Sequence, residues 1–166
     1  MSYVYKVIDS PIGKLKLVAN GSRLSAILWE NDKPNRVRLG SIHEDKDNPI
    51  LAETERQLNE YFAGKRNCFE LELDFVGTEF QRKVWEALLT IPFGETRSYG
   101  EIAVQIGNPK AVRAVGAATG KNPISIITPC HRVIGASGDL TGFAGGLEAK
   151  KILLTLESGN TSQTAV

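Results

Sequence analysis

Hydrophobic and polar residues alternate over three short segments near the start of the chain. The segments are YVYKVI, GKLKLVAN and LSAILWE, and they are separated by the turn-forming sequences DSPIG and NGS. A period of two is typical of strands that bury one face, so each segment predicts a strand. The polar stretch that follows, residues 31–49, contains proline and glycine and predicts a loop.

The spacing of the hydrophobic residues then lengthens from that of a strand to that of a helix. Between Ile50 and Phe62 the apolar residues 51, 58, 61 and 62 lie among polar ones, which predicts an amphipathic helix ended by Gly64. The sequence CFELELDF, residues 68–75, alternates again and predicts another strand. These elements together predict a small α/β domain in the first half of the chain.

The second half has a helical pattern with clear start signals. Thr78 with Gln81, and Ser98 with Glu101, have the spacing of capping boxes. The first pair predicts a helix over residues 79–90, which the sequence IPFGE ends, and the second predicts a short helix that stops at Gly107.

A third helix is predicted directly afterwards. Asn108 has the chemistry of an N-cap, and Pro109 would occupy the first helical position. Two helices joined by a four-residue turn that contains glycine predict a helix-turn-helix.

The third helix is expected to have two different faces. Val112, Val115 and Thr119 share the face expected to pack inward, and a second face combines one long cation with small residues: Arg113, Gly116, Ala117 and Gly120. Each glycine costs a helix about 1 kcal/mol against alanine. Such a face favours either close helix packing or close approach to nucleic acid, with Arg113 reaching into a groove. The residues alone leave both interpretations open.

Composition narrows the class of protein. Apolar and charged fractions are ordinary, the net charge is +1, and no segment approaches the ~20 apolar residues of a membrane helix or resembles a signal peptide. Two cysteines and two histidines provide neither a disulfide framework nor the spacing of a zinc site, so we expect a reducing compartment and no metal. Residues 102–138 contain four basic residues and no acidic one, which favours an anionic partner.

The sequence ITPCHRVIG places Cys130 beside His131 and Arg132. Cations lower the pKa of a nearby thiol, and an imidazole can accept its proton, so Cys130 is a candidate nucleophile. The alternative is an inert, buried cysteine, and this is the interpretation we adopt for Cys68. In an extended segment the Cys130 and His131 side chains would point apart, so their cooperation would need a bend at Pro129 or a bridging water.

The last helix, predicted from Gly146 to about Glu157, could supply a partner for the imidazole. Its expected apolar stripe consists of Ala149, Ile152, Leu153 and Leu156, with Glu157 at the edge. The residues alone favour a solvent-exposed glutamate at the helix end, with an inward carboxylate as the alternative.

The motifs resemble a known family. PCHRV, together with FQRKVWEALLTIPFGETRSYGEIA and NPKAVRAVGAATGKNPISIITPCHRVIGASGDLTGFAGGLEAKKILLTLE, is similar to the O6-alkylguanine-DNA alkyltransferases, the methylated-DNA–protein-cysteine methyltransferases. The resemblance implies an α+β protein in two domains. These are an N-terminal α/β domain with an antiparallel, ribonuclease H-like sheet (1–77) and a mostly helical winged helix-turn-helix domain (78–158), followed by a flexible tail (159–166).

The resemblance also implies the reaction, which is direct-reversal DNA repair. An alkyl group would pass from O6-alkylguanine, or less efficiently from O4-alkylthymine, irreversibly to Cys130, once per molecule. His131 would act as the base through a water, Glu157 would orient His131, Asn122 would hold the turn that positions Cys130, and Tyr99 would donate a proton toward N3 of the leaving guanine.

The remaining site residues come from the same resemblance. Arg113 would fill the gap left by the extruded base, and the other DNA-binding residues would be Lys110, Ala111, Gly116, Ala117 and Tyr99. The pocket would be lined by Pro129, Val133, Phe143, Ala144 and Gly145, with the Val133 carbonyl accepting from the guanine amino group. Phe143 and Ala144 depart from the tyrosine and serine found in many relatives, and this puts the tolerance for bulky alkyl groups in doubt.

The implied partner is double-stranded DNA containing alkylated guanine, bound by a cytoplasmic monomer without cofactor, metal or membrane. Two competing functions remain. A non-catalytic sensor of alkylated bases would lack the cysteine of this motif, and a cysteine hydrolase would have an oxyanion hole and no DNA-binding face.

Overall fold

The computed structural model describes residues 3–138, 140 and 142–159. The chain divides between Val76 and Gly77 into two compact units. Of the predicted tail, residues 159–166, all but Gly159 lie outside the described residues.

The first unit is a four-stranded sheet with one helix. The strands lie in the order β3-β2-β1-β4. Neighbours β1, β2 and β3 are antiparallel, whereas β4 pairs with β1 in parallel. The bounds are β1 Tyr3–Ile8, β2 Leu15–Asn20, β3 Arg23–Trp29, β4 Ile42–Glu44 and α1 Pro49–Phe62. The first three predicted strands and the helix are therefore confirmed.

The sequence also explains where α1 begins and ends. The Asn48 side chain accepts hydrogen bonds from the backbone N–H groups of Ile50 and Leu51, at 2.9 and 3.2 Å, and Pro49 occupies the first turn. Gly64 has a φ of 76°, a conformation that favours glycine just beyond a helix end. The buried face of α1 packs on the sheet.

Three predictions for the first unit are wrong. Strand β4 lies inside the predicted loop, because three residues are too few to show alternation. The predicted strand over 68–75 does not form; the segment contributes only an isolated bridge, Leu73 to Leu24, flanked by two backbone hydrogen bonds that Leu24 makes with Glu72 and Asp74. Cys68 is exposed, not buried, because it lies before that bridge and outside the sheet.

The second unit is mostly helical. A two-stranded parallel pair, β5 with β6, joins the start of α3 to the segment after Cys130. The elements are α2 Glu79–Leu88, β5 Arg97–Ser98, α3 Tyr99–Gln105, α4 Val112–Gly120, a 3₁₀ turn Cys130–Arg132, β6 Val133–Ile134 and α5 Leu147–Glu157. Both predicted capping boxes are formed, at the starts of α2 and α3.

The predicted start of α4 is wrong, because Asn108 belongs to the end of α3. Gly107, with a φ of 82°, donates to the Val104 carbonyl, and the Asn108 N–H donates to the Ala103 carbonyl. This pair of bonds is a Schellman motif. Helix α4 begins at Val112, without a side-chain cap, so residues 106–111 form a six-residue connection instead of a four-residue one.

Helix α4 packs against α2 and α3. Val115 and Thr119 face inward as predicted, whereas Val112, in the first turn, is 41% exposed. The Trp85 indole of α2 donates a 2.8 Å hydrogen bond to the Ala118 carbonyl and fixes the end of α4. Gly77 makes this possible, because a Cβ there would lie 2.6 Å from the Trp85 ring.

Candidate active site

A tight turn precedes the cysteine, and Asn122 holds it together. The Asn122 amide donates to the Thr128 carbonyl at 2.8 Å, and its side-chain oxygen accepts from the Ile124 N–H at 3.0 Å. The Cys130 N–H donates to the same Thr128 carbonyl at 2.7 Å. Asn122 therefore connects the end of α4 to the backbone that carries Cys130.

The turn contains one strained residue. Ile126 has a φ of 75°, a left-handed conformation that is rare for a β-branched side chain. Such a conformation costs on the order of 1–3 kcal/mol and persists only where surrounding contacts impose it. Those contacts are present, since the Ile126 side chain is buried and Ile127 donates across it to the Ser125 carbonyl.

Cys130 begins a 3₁₀ turn and is not in an extended segment. The expectation that neighbouring side chains point to opposite faces is therefore wrong here, since residues in a 3₁₀ turn are about 120° apart. Cys130 is only 5% exposed and His131 is fully buried, and Pro129, just before the turn, is also buried. The predicted bend at Pro129 is a turn that begins directly after it.

His131 and Glu157 form a buried pair. His131 Nε2 lies 2.7 Å from Glu157 Oε2, and the side chains are 0% and 2% exposed. Burial lowers the pKa of His131 below 6.5, and the nearby Arg132 and Lys150 charges lower it further, while the Glu157 carboxylate opposes the shift. His131 is thus a neutral imidazole at neutral pH, with Nε2–H donating to the carboxylate.

The solvent-exposed position that the residues alone favour for Glu157 is wrong. Its carboxylate is held by His131 and by Arg132, whose Nε and Nη2 reach Oε1 and Oε2 at 2.7 and 3.0 Å. Burial by itself would raise the pKa of this carboxyl, but the hydrogen bonds and charges of both partners lower it to about 2. The two hydrogen-bond donors and the positive charge of Arg132 offset the unfavourable position of an acid at a helix C-terminus.

Lys150 is a buried residue that the sequence reasoning missed. It is 1% exposed, and its Nζ donates to the Val133 carbonyl at 2.7 Å. Burial lowers the pKa of this ammonium, while the negative charge of the Cys130 thiolate raises it. The spacing offers a signal, because Lys150, Leu153 and Glu157 follow i, i+3 and i+7 on one face. That face is the buried one, whereas Ile152 of the predicted stripe is 37% exposed.

Tyr99 and the small-residue face of α4 lie together. Tyr99 is the first residue of α3, and its ring is 3.9 Å from the position that a Cβ on Gly116 would take. Arg113, Ala117 and Gly120 are exposed on the same face, as is Lys110 before the helix, and Ala111 and Gly116 are half-buried. Of the four basic residues in 102–138, only Arg132 is buried and internally paired.

The predicted pocket residues lie on both sides of the 3₁₀ turn in sequence, and Phe143 contacts the turn through the His131 ring. The Phe143 ring meets the His131 ring edge to face, with centroids 6.5 Å apart and planes at 78°. Val133 is buried beyond the turn, and Ala144 and Gly145 are half-buried beside Phe143. The Val133 carbonyl already accepts from Lys150, and a carbonyl oxygen has a second lone pair for another donor.

Neither a metal centre nor a membrane span emerges from the part of the chain that the structure describes. Within it, no three His, Cys, Asp or Glu side chains are grouped closely enough to hold a metal ion. None of its helices combines the length and apolar character needed to cross a bilayer.

Both units match domains of known proteins. Residues 3–75 match the ribonuclease-like domain of 6-O-methylguanine DNA methyltransferase, and residues 79–159 match its DNA-binding domain. A methylated-DNA–protein-cysteine methyltransferase of Mycobacterium bovis is 56% identical over 155 residues, which cover 92% of this chain and 91% of that protein. One of Methanosarcina acetivorans is 50% identical, covering 92% and 97%.

Solved structures agree with the sequence matches. The Mycobacterium tuberculosis OGT in complex with DNA aligns with a TM-score of 0.86 and 52% identity, over 96% of this chain and 94% of that one. A methyltransferase from Pyrococcus kodakaraensis, 19% identical with a TM-score of 0.54, shares the fold. Each half of the chain matches one domain of the same protein, and the relatives match over nearly their full length. The chain therefore belongs to the 6-O-methylguanine DNA methyltransferase family.

Proposed function

We propose that this protein repairs alkylated DNA by direct reversal, moving an alkyl group from O6 of guanine to the Cys130 sulfur, once per molecule. One observation carries the proposal: Cys130 begins a buried turn whose next residue, His131, bonds to Glu157 at 2.7 Å. A thiol, an imidazole and an orienting carboxylate in this order form the arrangement that activates a cysteine nucleophile.

The nucleophile is generated by proton transfer from Cys130 to His131. Glu157 holds Nε2 of the ring, so Nδ1 is the nitrogen that accepts the thiol proton, relayed by a water. Nδ1 is buried and makes no hydrogen bond to any residue in the described part of the chain. Glu157 stabilises the imidazolium that forms, and the Lys150 ammonium favours the thiolate by its charge.

The transfer itself is a displacement at carbon. The S–C bond forms while the C–O6 bond breaks, and the electron pair moves onto the purine, which must take up a proton. We assign that proton to the Tyr99 hydroxyl, donated toward N3; Tyr99 regains a proton from solvent and His131 releases the thiol proton to solvent, so one proton passes in total from the thiol to the purine. The Val133 carbonyl accepts from the guanine amino group through its second lone pair. Pro129, Phe143, Ala144 and Gly145 form the walls that hold the base.

Access to the base requires that it leave the duplex. The small-residue face of α4 allows the helix backbone to approach the minor groove closely, and Arg113 enters the stack where the base was. Unstacking and unpairing cost a few kcal/mol, which the inserted side chain and the added contacts offset. The DNA-contacting surface is completed by Lys110, Ala111, Gly116, Ala117 and Tyr99. Arg132 takes no part in binding DNA, because it forms a buried salt bridge with Glu157.

The remaining assignments rest on the resemblance to the family. We retain the predicted domain bounds, residues 1–77 for the N-terminal domain and residues 78–158 for the transferase and DNA-binding domain, which differ by one residue from the division of the chain after Val76. The reaction needs only a thiol, an electrophilic carbon and a proton, so it proceeds without a cofactor. The protein acts on double-stranded DNA as a cytoplasmic monomer.

Stoichiometric labelling tests the function. The protein is incubated with a duplex oligonucleotide bearing radiolabelled O6-methylguanine, and label on intact protein is counted. We expect about one label per molecule for the wild type and for Cys68→Ser, the matched control at the exposed cysteine, and none for Cys130→Ser. Equal label on Cys130→Ser would refute the proposal. Binding of the duplex without label would indicate a base sensor, and multiple turnovers on an ester would indicate a hydrolase.

A further inference from the structure

Arg132, the residue after the candidate base, has a more elaborate set of contacts than its neighbours. Two of its nitrogens grip both oxygens of Glu157, at 2.7 and 3.0 Å, and the third, Nη1, donates to the Ile91 carbonyl at 2.6 Å. The residue is 7% exposed. A fork of this kind fixes both the position and the plane of a carboxylate, which a single-point cation cannot do.

The segment after α2 braces this pair. The Phe93 ring faces the guanidinium with 5.8 Å between the Arg132 Cζ and the ring centroid. Gly94, with a φ of 85°, leaves only 3.1 Å between an added Cβ and the Glu157 carbonyl oxygen. Residues 91–94 therefore contact both the arginine side chain and the end of α5.

Glu157 Oε2 is shared between two donors, His131 Nε2 and Arg132 Nη2. With a neutral imidazole, the carboxylate and the guanidinium balance each other in a buried site. A protonated imidazole would add a second cation beside the first, where water cannot screen it. A carboxylate without the arginine would instead draw a proton onto the imidazole.

We propose that Arg132 is a positioning residue for alkyl transfer, which keeps Glu157 aimed at His131 while its charge keeps the imidazole neutral and able to accept the Cys130 proton. The inference rests on the proposed function. It assigns to the arginine of the CHR sequence a role that is distinct from lowering the thiol pKa directly.

Other charged groups face the imidazole from each packed element. Helix α5 contributes Glu157 and Lys150, and the turn itself contributes Cys130 and Arg132. Helix α2 also packs against the turn, but its buried residues are apolar, and its four charged residues are exposed: Glu79, Arg82, Lys83 and Glu86. Replacing Arg132 therefore changes one of two buried cations near His131 and leaves Lys150 in place.

Histidine NMR measures the imidazole directly. The chain has two histidines, and the exposed His43 gives a reference resonance in every variant. Ring-labelled wild type, Arg132→Lys and Arg132→Gln are titrated, with Phe93→Leu as a control that touches the guanidinium without altering charge. Loss of a buried unit charge a few ångströms away raises the pKa of His131 by about one unit or more. We expect the pKa of His131 to be lowest in the wild type and Phe93→Leu, higher in Arg132→Lys and highest in Arg132→Gln.

The rate of reaction with free O6-benzylguanine is measured on the same variants across pH. The acidic limb of the profile should move to higher pH in the same order, with rates that converge toward the wild type at high pH for Arg132→Lys. An arginine that only supports the fold would instead lower the rate equally at every pH. A benzyl adduct on wild-type Cys130 shows in the same assay that the transferase chemistry is present, and the NMR result does not depend on it.

Two results would overturn the proposal: an imidazole titration in Arg132→Gln that matches the wild type, or an acidic limb that does not move. If Arg132→Gln does not fold, the same measurements are made on Arg132→Met, which also removes the charge and keeps a long side chain in the site. An unshifted titration and profile in that variant would then overturn it.

Discussion

Acid should destabilise this protein through His131. Burial holds the pKa of His131 below 6.5 in the folded state, whereas the unfolded chain keeps its ordinary value of about 6.5. Below that pH the unfolded chain therefore binds one proton more than the folded one, and stability falls as pH falls. Each pH unit between that value and the folded-state pKa of His131 removes at most about 1.4 kcal/mol from the free energy of unfolding, and the loss ends where the folded-state imidazole also takes up a proton.

Glu157 adds a second loss at lower pH. Its pKa is lowered from 4.5 to about 2, so its contribution is present above 4.5 and disappears as pH falls toward 2. Urea denaturation at a series of pH values, for wild type and His131→Gln, isolates the histidine, because glutamine can still donate to Glu157 but does not titrate. Acidic groups common to both proteins, such as Glu53, cancel in the difference. Parallel curves between pH 6.5 and 4.5 would show that the reasoning is wrong.

Three further predictions concern α4 and its support. Arg113→Ala should slow repair of duplex DNA by on the order of tenfold or more, because the gap in the stack is no longer filled, while the rate with free O6-benzylguanine stays unchanged; equal losses would argue against base extrusion. Trp85→Phe should cost about 1–3 kcal/mol in urea denaturation, because it removes the donor to the Ala118 carbonyl and leaves a void; an unchanged midpoint would contradict this. Gly77→Ala should cost about 1–3 kcal/mol and lower the melting temperature, since its Cβ would meet the Trp85 ring at 2.6 Å and the Gln81 side chain at 2.7 Å; wild-type stability would show that the contact relaxes freely.

Local patterns predicted most of the elements because local rules form them. Capping boxes, a glycine beyond a helix end and alternating strands leave signals within a few residues. The wrong predictions concern elements whose position depends on hydrogen bonds to residues farther away in the sequence. Asn108 has the chemistry of a cap, but its N–H is taken by the Ala103 carbonyl of the preceding helix. Strand β4 exists because β1 offers it an edge, which its own three residues do not reveal.

The site was predictable as a set of residues only through the family resemblance. From the residues alone, Glu157 is an acid at a helix end, and nothing near it in sequence shows that His131 and Arg132 lie against it. The separation of 25 to 26 positions between the partners is bridged by the fold. Lys150 was missed for a related reason, because a lysine next to an apolar stripe is normally exposed. Only the buried position of Glu157, seven residues later on the same helix face, implies that Lys150 is buried too.

The burial of Cys130 also bears on how long an unused molecule survives. A protein that reacts once is lost to any electrophile or oxidant that reaches its sulfur, so the cell's own reactive metabolites compete with damaged DNA for each copy. Cys130 is 5% exposed, whereas Cys68 is on the surface. Reagents dissolved in the surrounding water therefore meet Cys68 first, whereas the surrounding residues shield the Cys130 thiol from them. Burial of Cys130 thus preserves the unreacted protein until it meets damaged DNA.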